Sequence, residues 1–304
     1  MSAPAGPPAA EAATVSAQAD DARPRRGNRN PRRFFRHPTG VLGLSIVLFL
    51  TLMSLLAPVL KPYDSRSDRN LRARLAPPSA EHIFGADELG RDIFTRVLHG
   101  GRISLRAGLL AVAFASVVGT LLGVLAGFVG GWVDIAVVWA VDLLLAFPGI
   151  LLAIAIVATL GPNLTNALLA IAITQVPIYT RIMRSAVLQV KQAEYVQAAR
   201  AVGAGGVRVV LRHVLPNSLA PLIVQLTLSI GTAILDVAAL GFLGLGAQPP
   251  APEWGLMIRD GFSQFLRAPW MSIFPGVGIF LSVVGFNLLG DAIRDVLDPR
   301  LRGV

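Results

Sequence analysis

The feature that most constrains this chain is a series of long apolar stretches, two of which, Val41–Leu60 and Ala107–Trp132, contain no charged residue. A helix needs about 20 consecutive, mainly apolar residues to cross the hydrocarbon core of a bilayer. With 54% hydrophobic residues, 15% charged residues and a mean hydropathy of +0.62, the chain is too apolar for a soluble globular protein. We therefore expect a membrane protein.

The order of apolar and polar stretches predicts an all-α polytopic protein. Its six expected transmembrane helices are Val41–Leu60, Ala107–Trp132, Trp132–Leu160, Leu164–Met183, Ser218–Leu245 and Met271–Leu289. Seven arginines precede the first span, which favours a cytoplasmic N-terminus, and six spans return the C-terminus to that side. The expected organisation is a disordered basic cytoplasmic tail (1–38), a first transmembrane helix (39–61), an extracytoplasmic segment (62–102), a core transmembrane domain (103–293) and a cytoplasmic C-terminal tail (294–304).

Glycines recur at every fourth residue of the second predicted span, at Gly119, Gly123 and Gly127. Small residues at this spacing leave one face of a membrane helix open to close approach by another helix. We therefore expect these three glycines to be helix-packing positions.

Between the fourth and fifth predicted spans lies a polar and basic segment, 194–217, with the sequence EYVQAARAVGAGGVRVVLRHVLPN. Its first residues are helix formers, so a short surface helix is predicted there. Gly203 stands where a C-terminal cap is expected, and Gly205-Gly206 predicts a turn before a second helical piece at Val207–Arg212. The segment is thus a helix-turn-helix elbow.

The elbow ends at Pro216, which we expect to stop the second helical piece, with Asn217 and Ser218 as N-cap residues of the next span. By its charge alone, the segment could be an ordinary basic loop that its arginines hold on the cytoplasmic side. The other interpretation is a compact surface that is presented to a partner, and the helix-turn-helix pattern alone does not choose between the two.

The sequence lacks the motifs of common enzyme classes. Its two lysines, Lys61 and Lys191, do not follow a glycine-rich phosphate-binding loop, and it contains neither HExxH nor GxSxG. It has no cysteine, and its four histidines are scattered without ligand spacing. Much of the net charge of +9 lies in the N-terminal tail, so nucleic-acid binding is not predicted. We expect no catalytic residue, no metal site and no cofactor in this chain.

One set of elbow residues has a recognisable spacing: Gln197-Ala198-Ala199, Gly203, His213 and Leu215-Pro216. This spacing resembles the EAA loop of ABC importer permeases, in which the loop forms a coupling helix that docks into a groove of the ATPase subunit. The forms YVQAARAVGA and RHVLPN are similar to the dipeptide, oligopeptide and nickel branch. The resemblance implies the type I ABC importer permease fold and ATPase-coupling roles for Glu194, Tyr195, Val196, Gln197, Ala198, Ala199, Arg200, Ala201, Gly203, Ala204, Arg212 and Pro216.

Other stretches extend the resemblance from Val41 to the C-terminus. They are GADELGRD at 85–92, Ala146-Phe147-Pro148, LGFLGLG at 240–246, QPP at 248–250, EWG at 253–255, LLGDAIRD at 288–295 and DPR at 298–300. Taken alone, Asp87, Glu88 and Asp92 could suggest a metal or catalytic site. We interpret them instead as part of a solvated amphipathic helix that leads into the second span.

Ionisable residues inside the spans need an explanation, because a charge within the bilayer is costly and usually faces protein or a water-filled path. Asp142 and Asp236 are such residues. Either could line a translocation path and meet the amino group of a peptide, or form a structural pair with a neighbouring basic or polar group. The candidates for the path are Asp142, Phe147, Pro148, Gln175 and Asp236.

The resemblance implies a permease subunit that forms half of the translocation path of an ATP-driven peptide importer in the cell membrane. The implied partners are a second permease subunit, two ATP-binding subunits that bind ATP and Mg²⁺, an extracytoplasmic substrate-binding protein and membrane lipid. Nickel or another solute is the alternative cargo. Alternatives from other classes are a secondary transporter and a membrane scaffold or sensor that binds a cytoplasmic partner through residues 194–217.

Overall fold

A computed structural model describes residues 37–64 and 68–297 of the chain. The N-terminal tail and the 298–300 motif therefore lie outside the described residues. The regular elements of the described part are helical and include a short 3₁₀ helix at Leu71–Ala73. They are α1 Pro38–Leu60, α2 Ile93–Val129, α3 Gly131–Leu145, α4 Gly149–Leu160, α5 Leu164–Lys191, α6 Glu194–Ala201, α7 Gly206–Val209, α8 Leu215–Phe242, α9 Trp254–Phe262 and α10 Trp270–Leu297.

The described helices confirm an all-α, multi-pass membrane protein. Four stretches are long and apolar enough to cross a membrane: α1, α2, the continuous stretch formed by α7 and α8, and α10. The bent pair of α3 and α4 can form a fifth span. α5 is long enough at 28 residues but is less apolar. Because α5 packs against α2, α4 and α8, its polar side chains need not face lipid.

The third predicted span is broken rather than continuous. α3 ends at Leu145, α4 begins at Gly149, and the two helix axes differ by 90°. Pro148 lies at the break, where it has no N–H to donate and disfavours helical geometry at Phe147. The proline therefore accounts for the position of the bend, which the apolar pattern alone did not predict.

The core of the bundle is formed by close contact between α2 and α5. A Cβ atom added at Gly119 would lie 2.5 Å from the Cβ atom of Tyr179, and one added at Gly123 would lie 2.6 Å from the carbonyl oxygen of Thr180. A Cβ atom added at Gly127, further along the same face, would lie 2.9 Å from Val187 Cγ1 of α5. Real Cβ atoms do not approach other atoms this closely, so the three glycines set the separation of the two helices.

The bundle has an elbow end, where residues 192–214 lie, and a far end, where the segments 68–92 and 243–269 lie. The far-end segments pack against one another and against the starts of α2 and α10. The rings of Phe84 and Phe274 are stacked with centroids 3.9 Å apart, and Trp254 Nε1 donates to the Val97 carbonyl oxygen at 2.9 Å. These contacts form a second apolar cluster.

The acidic residues of the 85–92 stretch are not part of a solvated helix, which corrects our interpretation. The Asp87 carboxylate is almost fully buried and accepts hydrogen bonds from Arg91 Nε at 2.7 Å and from Arg96 Nη1 at 2.6 Å. Asp92 instead caps α2 and accepts from the Thr95 backbone N–H at 2.9 Å. The stretch is a tight, ion-paired turn that begins the second membrane helix.

The elbow continues into the next membrane helix without a break, contrary to the prediction for Pro216. α7, a π-helical turn at Val210–Val214 and α8 together form one stretch, Gly206–Phe242. The wider π turn precedes Pro216, and the proline lies in the first turn of α8, where its missing N–H is tolerated. Asn217 and Ser218 are not N-caps, because their side chains donate to carbonyl oxygens one turn earlier at 2.7 and 2.9 Å.

Candidate functional site

The first elbow helix, α6, ends in a Schellman-type C-cap. Gly203 has a φ of +86°, in the left-handed region that favours glycine. Its N–H donates to the Arg200 carbonyl oxygen at 2.9 Å, and the Ala204 N–H donates to the Ala199 carbonyl oxygen at 3.0 Å. These two bonds satisfy the last carbonyl groups of α6 and turn the chain towards α7.

The inner face of the elbow is fixed to the bundle by an apolar cluster. Val196, Val209 and Val214 are fully buried and pack with Met183 and Val187 of α5. Val196 was among the predicted coupling residues, but its side chain faces the bundle. It therefore holds α6 in place and is not available to a partner.

Phe128, near the C-terminal end of α2, is a second anchor for the elbow. Lys191 Nζ donates to the Phe128 carbonyl oxygen at 2.8 Å, and the Arg200 guanidinium lies 5.2 Å from the centroid of the Phe128 ring. A cation at the end of a helix satisfies its last carbonyl groups, and a guanidinium over a ring gives a cation–π attraction. The elbow is thus connected to α2 and α5 together.

The outer face of the elbow carries exposed apolar side chains between exposed basic and polar ones. Tyr195 is half exposed, while Val202, Val207 and Leu211 are 85%, 75% and 60% exposed. The three aliphatic residues were not among the predicted coupling residues, although apolar side chains inside a basic segment were a signal for them. Exposed apolar clusters mark interaction surfaces. Of the other predicted coupling residues, Ala199 and Ala204 are partly buried, and the exposed ones are Glu194, Gln197, Ala198, Arg200, Ala201, Gly203, Arg212 and Pro216.

Two ion pairs connect α3 to α5. Arg181 Nη2 donates to Asp142 Oδ1 at 2.6 Å, and Arg184 Nη2 donates to Asp134 Oδ2 at 2.7 Å. The first pair lies on the surface of the chain, with side chains 58% and 51% exposed for Arg181 and Asp142. Asp142 thus has a neighbouring basic partner, as expected if it forms a structural pair. The pair is nevertheless exposed, so a ligand or a second subunit can reach it.

The remaining path candidates occupy different environments. Phe147 and Pro148 are exposed at the bend between α3 and α4. Gln175 is partly buried, and its Oε1 atom has no hydrogen-bond partner among the described residues. Asp236 is also partly buried, and no described residue forms a hydrogen bond or ion pair with its carboxylate. Asp142 and the bend lie on the same bent pair of helices, and Arg181 reaches Asp142 from α5. The structure records no direct contact between Asp142 and Asp236.

At the far end, Glu253 is a buried carboxylate that the sequence patterns did not single out individually. Its oxygens accept hydrogen bonds from the N–H groups of Gly255 and Leu256 at 2.8 and 2.9 Å and from Ser104 Oγ at 3.1 Å. Burial raises the pKa of Glu253 above its ordinary value of 4.5, although these hydrogen bonds oppose the shift. Glu253 therefore caps α9 and fastens it to α2. Within residues 37–64 and 68–297, no three His, Asp or Glu side chains are grouped in a way that could hold a metal ion.

Residues 119–303 match the family described as the binding-protein-dependent transport system inner membrane component. The chain belongs to this family. Residues 31–78 also match the N-terminal transmembrane domain of oligopeptide transport permease C. The chain is thus a permease, and the predicted family resemblance is confirmed. Members of the family are transport subunits rather than known catalytic proteins.

Curated relatives share most of the length of the permease. The dipeptide transport system permease protein of Alkalihalophilus pseudofirmus is 51% identical and covers 88% of each chain. The probable D,D-dipeptide transport system permease protein of Escherichia coli K12 is 48% identical and covers 88% of this chain and 89% of its own. A glutathione transport system permease protein of Escherichia coli O157:H7 is 44% identical and covers 90% of each chain.

Solved structures share the fold of the permease. The inward-facing MetNI methionine ABC transporter aligns with a TM-score of 0.55 at 20% identity, covering 68% of this chain and 98% of its own. An amino acid ABC transporter structure aligns with a TM-score of 0.53 at 15% identity, covering 66% of this chain and 94% of its own. The ABC importer permease fold is therefore confirmed. Membership of the family implies ATP-binding subunits and a substrate-binding protein as partners.

Proposed function

We propose that this permease forms half of the translocation path of an ATP-driven importer of short peptides. The names of the relatives reported above refer to dipeptides, a D,D-dipeptide and glutathione, all of them short peptides. The proposed assembly contains this chain, a second permease subunit, two ATP-binding subunits that hold ATP and Mg²⁺, and an extracytoplasmic substrate-binding protein. The elbow end faces the cytoplasm together with both termini, and the far end faces the binding protein.

The observation that carries this proposal is the uncovered apolar face of a firmly anchored elbow. Val202, Val207 and Leu211 are exposed on a segment whose inner face is buried against α5. A partner that pushes on this surface moves the elbow as a unit, because α6 is held by Val196 and by the Arg200–Phe128 contact. Motion of the ATP-binding subunits is thereby passed to α2, α5 and α8 and opens the path to alternate sides of the membrane.

The Asp142–Arg181 pair is the proposed peptide contact along the path. A zwitterionic peptide carries an ammonium group and a carboxylate, which match the charges of Asp142 and Arg181. Both side chains are half exposed in this chain. Two opposite charges on the surface of a membrane bundle need a water-filled path or a second subunit beside them. Phe147 and Pro148, which are also exposed, follow Asp142 at the bend between α3 and α4.

Docking at the elbow is tested with Val202→Asp in the permease co-expressed with its ATP-binding subunits. A charge on the apolar face should strongly reduce co-purification of the ATP-binding subunits, while membrane insertion is unchanged. Leu266→Asp is the matched control, because Leu266 is 99% exposed at the far end and should leave co-purification unchanged. Equal recovery of the ATP-binding subunits in both variants would refute the docking surface. If the chain is instead a scaffold or sensor, no ATP-binding subunit should co-purify with it even when Val202 is unchanged.

Peptide translocation is tested with reconstituted importer, binding protein and labelled dipeptide. Uptake should require ATP and should persist when ion gradients are collapsed, which separates this function from secondary transport. Asp142→Asn should reduce uptake because it removes the charge that pairs with Arg181 and attracts the peptide ammonium group. Uptake equal to that of the native protein, at equal expression, would remove Asp142 from the path.

A further inference from the structure

A large groove lies on the far half of the bundle, between α1, α2 and the start of α5. Its volume is about 910 Å³, which is within the range of about 300–1,000 Å³ that is typical of ligand sites. Much of the wall is apolar, and it includes Leu55, Leu109, Leu110, Leu164 and Leu168. Several of these leucines are about half exposed, so the groove is open on the side of the chain.

Two arginines lie at the edge of this groove. Arg102 and Arg106 are one turn apart on α2, and both are exposed. Neither forms an ion pair or hydrogen bond with another described residue. Asp64 is the one acidic residue among the described residues that line the groove, so Arg102, Arg106 and Asp64 together give the wall a net positive charge. His99, also in the wall, is held by a 2.9 Å contact between its Nε2 atom and the Lys61 carbonyl oxygen.

The depth of the arginines follows from the length of α2. This helix ends at Val129 at the elbow end, and a helix rises 1.5 Å per residue. The charge-free part of α2, residues 107–129, is about 34 Å long and so is sufficient to cross the ~30 Å hydrocarbon core of a bilayer. Arg102 and Arg106 immediately precede this part of the helix, which places them at the level of the lipid headgroups. The leucines below them lie at the level of the acyl chains.

We propose that this groove binds a phospholipid of the far-end leaflet, with its phosphate on Arg102 and Arg106 and an acyl chain along Leu55 and Leu109. Guanidinium groups bind phosphate oxygens through charge-assisted hydrogen bonds. The net positive charge of the wall favours a lipid with a net negative headgroup, such as phosphatidylglycerol, over phosphatidylcholine. An apolar helix of a second subunit would cover the leucines but would leave the two guanidinium groups without a counter-charge.

Native mass spectrometry of the purified importer tests this site. The complex is exchanged into detergent with equal amounts of phosphatidylglycerol and phosphatidylcholine, and retained lipid is counted as detergent is diluted. The native complex should retain phosphatidylglycerol. The double variant Arg102→Gln with Arg106→Gln should bind this lipid about 30-fold more weakly, since each arginine near a headgroup contributes about 1 kcal/mol of binding free energy. Arg72→Gln with Arg74→Gln is the matched control, because both residues are exposed far-end arginines outside the groove wall.

Three outcomes would overturn the proposal. The first is equal lipid retention by the groove variant and the control variant. The second is equal retention of phosphatidylcholine and phosphatidylglycerol by the native complex. The third is displacement of the lipid by millimolar glycerol phosphate, which would assign the arginines to a free phosphate. Arg102→Lys with Arg106→Lys keeps both charges and should retain most of the lipid, so a folding defect in the glutamine variant can be recognised.

Discussion

The conformation of Gly203 gives the sharpest test of how the elbow is built. Replacing Gly203 by serine places a side chain on a residue with a φ of +86°. No atom lies within 4 Å of the new Cβ position, so the cost is backbone strain alone. A residue with a Cβ atom in the left-handed region costs roughly 1–2 kcal/mol. This strain should weaken the two C-cap bonds of α6 and raise the opening equilibrium of the elbow about 5- to 30-fold.

Hydrogen–deuterium exchange measured by mass spectrometry reads this opening directly. Peptides that cover 196–204 should exchange faster in Gly203→Ser by the same factor, because amide exchange follows local opening. Gly205→Ser is the matched control. Gly205 has a φ of −65° at the N-cap of α7 and also has an unoccupied Cβ position, so serine fits there without strain. Gly203→Asn should fall between the two, since asparagine adopts the left-handed region more readily.

The comparison between the two serine variants decides the outcome. Equal exchange in Gly203→Ser and Gly205→Ser would show that the positive φ at Gly203 does not hold the elbow. Faster exchange throughout α5 and α8 in Gly203→Ser would show general destabilisation instead of local opening. Only faster exchange confined to the elbow, with reduced dipeptide uptake, agrees with the proposal that the elbow moves as a unit and passes motion to the bundle.

Three further predictions concern packing, anchoring and pH. Gly123→Val should lower the thermal unfolding temperature in detergent, because its Cβ atom would lie 2.6 Å from a carbonyl oxygen of α5 and overpacking costs about 1–3 kcal/mol. Gly276→Val is the control: no atom lies near the added Cβ position, so the unfolding temperature should change much less. Lys191→Met removes the ammonium bond to α2, so amide exchange in the elbow should rise, whereas Lys61→Met should leave it unchanged. Because the pKa of Glu253 is raised in the folded protein, the folded state binds more protons than the unfolded state. The stability that protonated Glu253 contributes is therefore complete below the ordinary pKa of 4.5 and is lost as the pH rises through the raised pKa. A series of melting curves against pH should show this fall in the native protein and a smaller fall in Glu253→Gln, and identical slopes would contradict the burial argument.

The elbow shows how far local sequence patterns can predict a site. Helix formers before Gly203 and the glycines after it were sufficient to place α6 and its turn, because capping depends on a few neighbouring residues. The same patterns failed at Pro216, where a π turn lets the helix continue. They also did not show that the Val196 side chain is buried and the Val202 side chain exposed, since which side of a short helix is buried depends on the helices packed beside it.

The sequence by itself determined that this chain is a bundle of membrane helices with a polar elbow, because charge-free stretches of this length can be accommodated only in a bilayer. It also determined the family through several motifs in register. Only the tertiary structure decided that α5 packs against α2, α4 and α8, that α3 and α4 meet at 90°, and that Asp87 and Glu253 are buried. These features depend on contacts between residues far apart in the chain, where packing and the pairing of buried charges outweigh local preference.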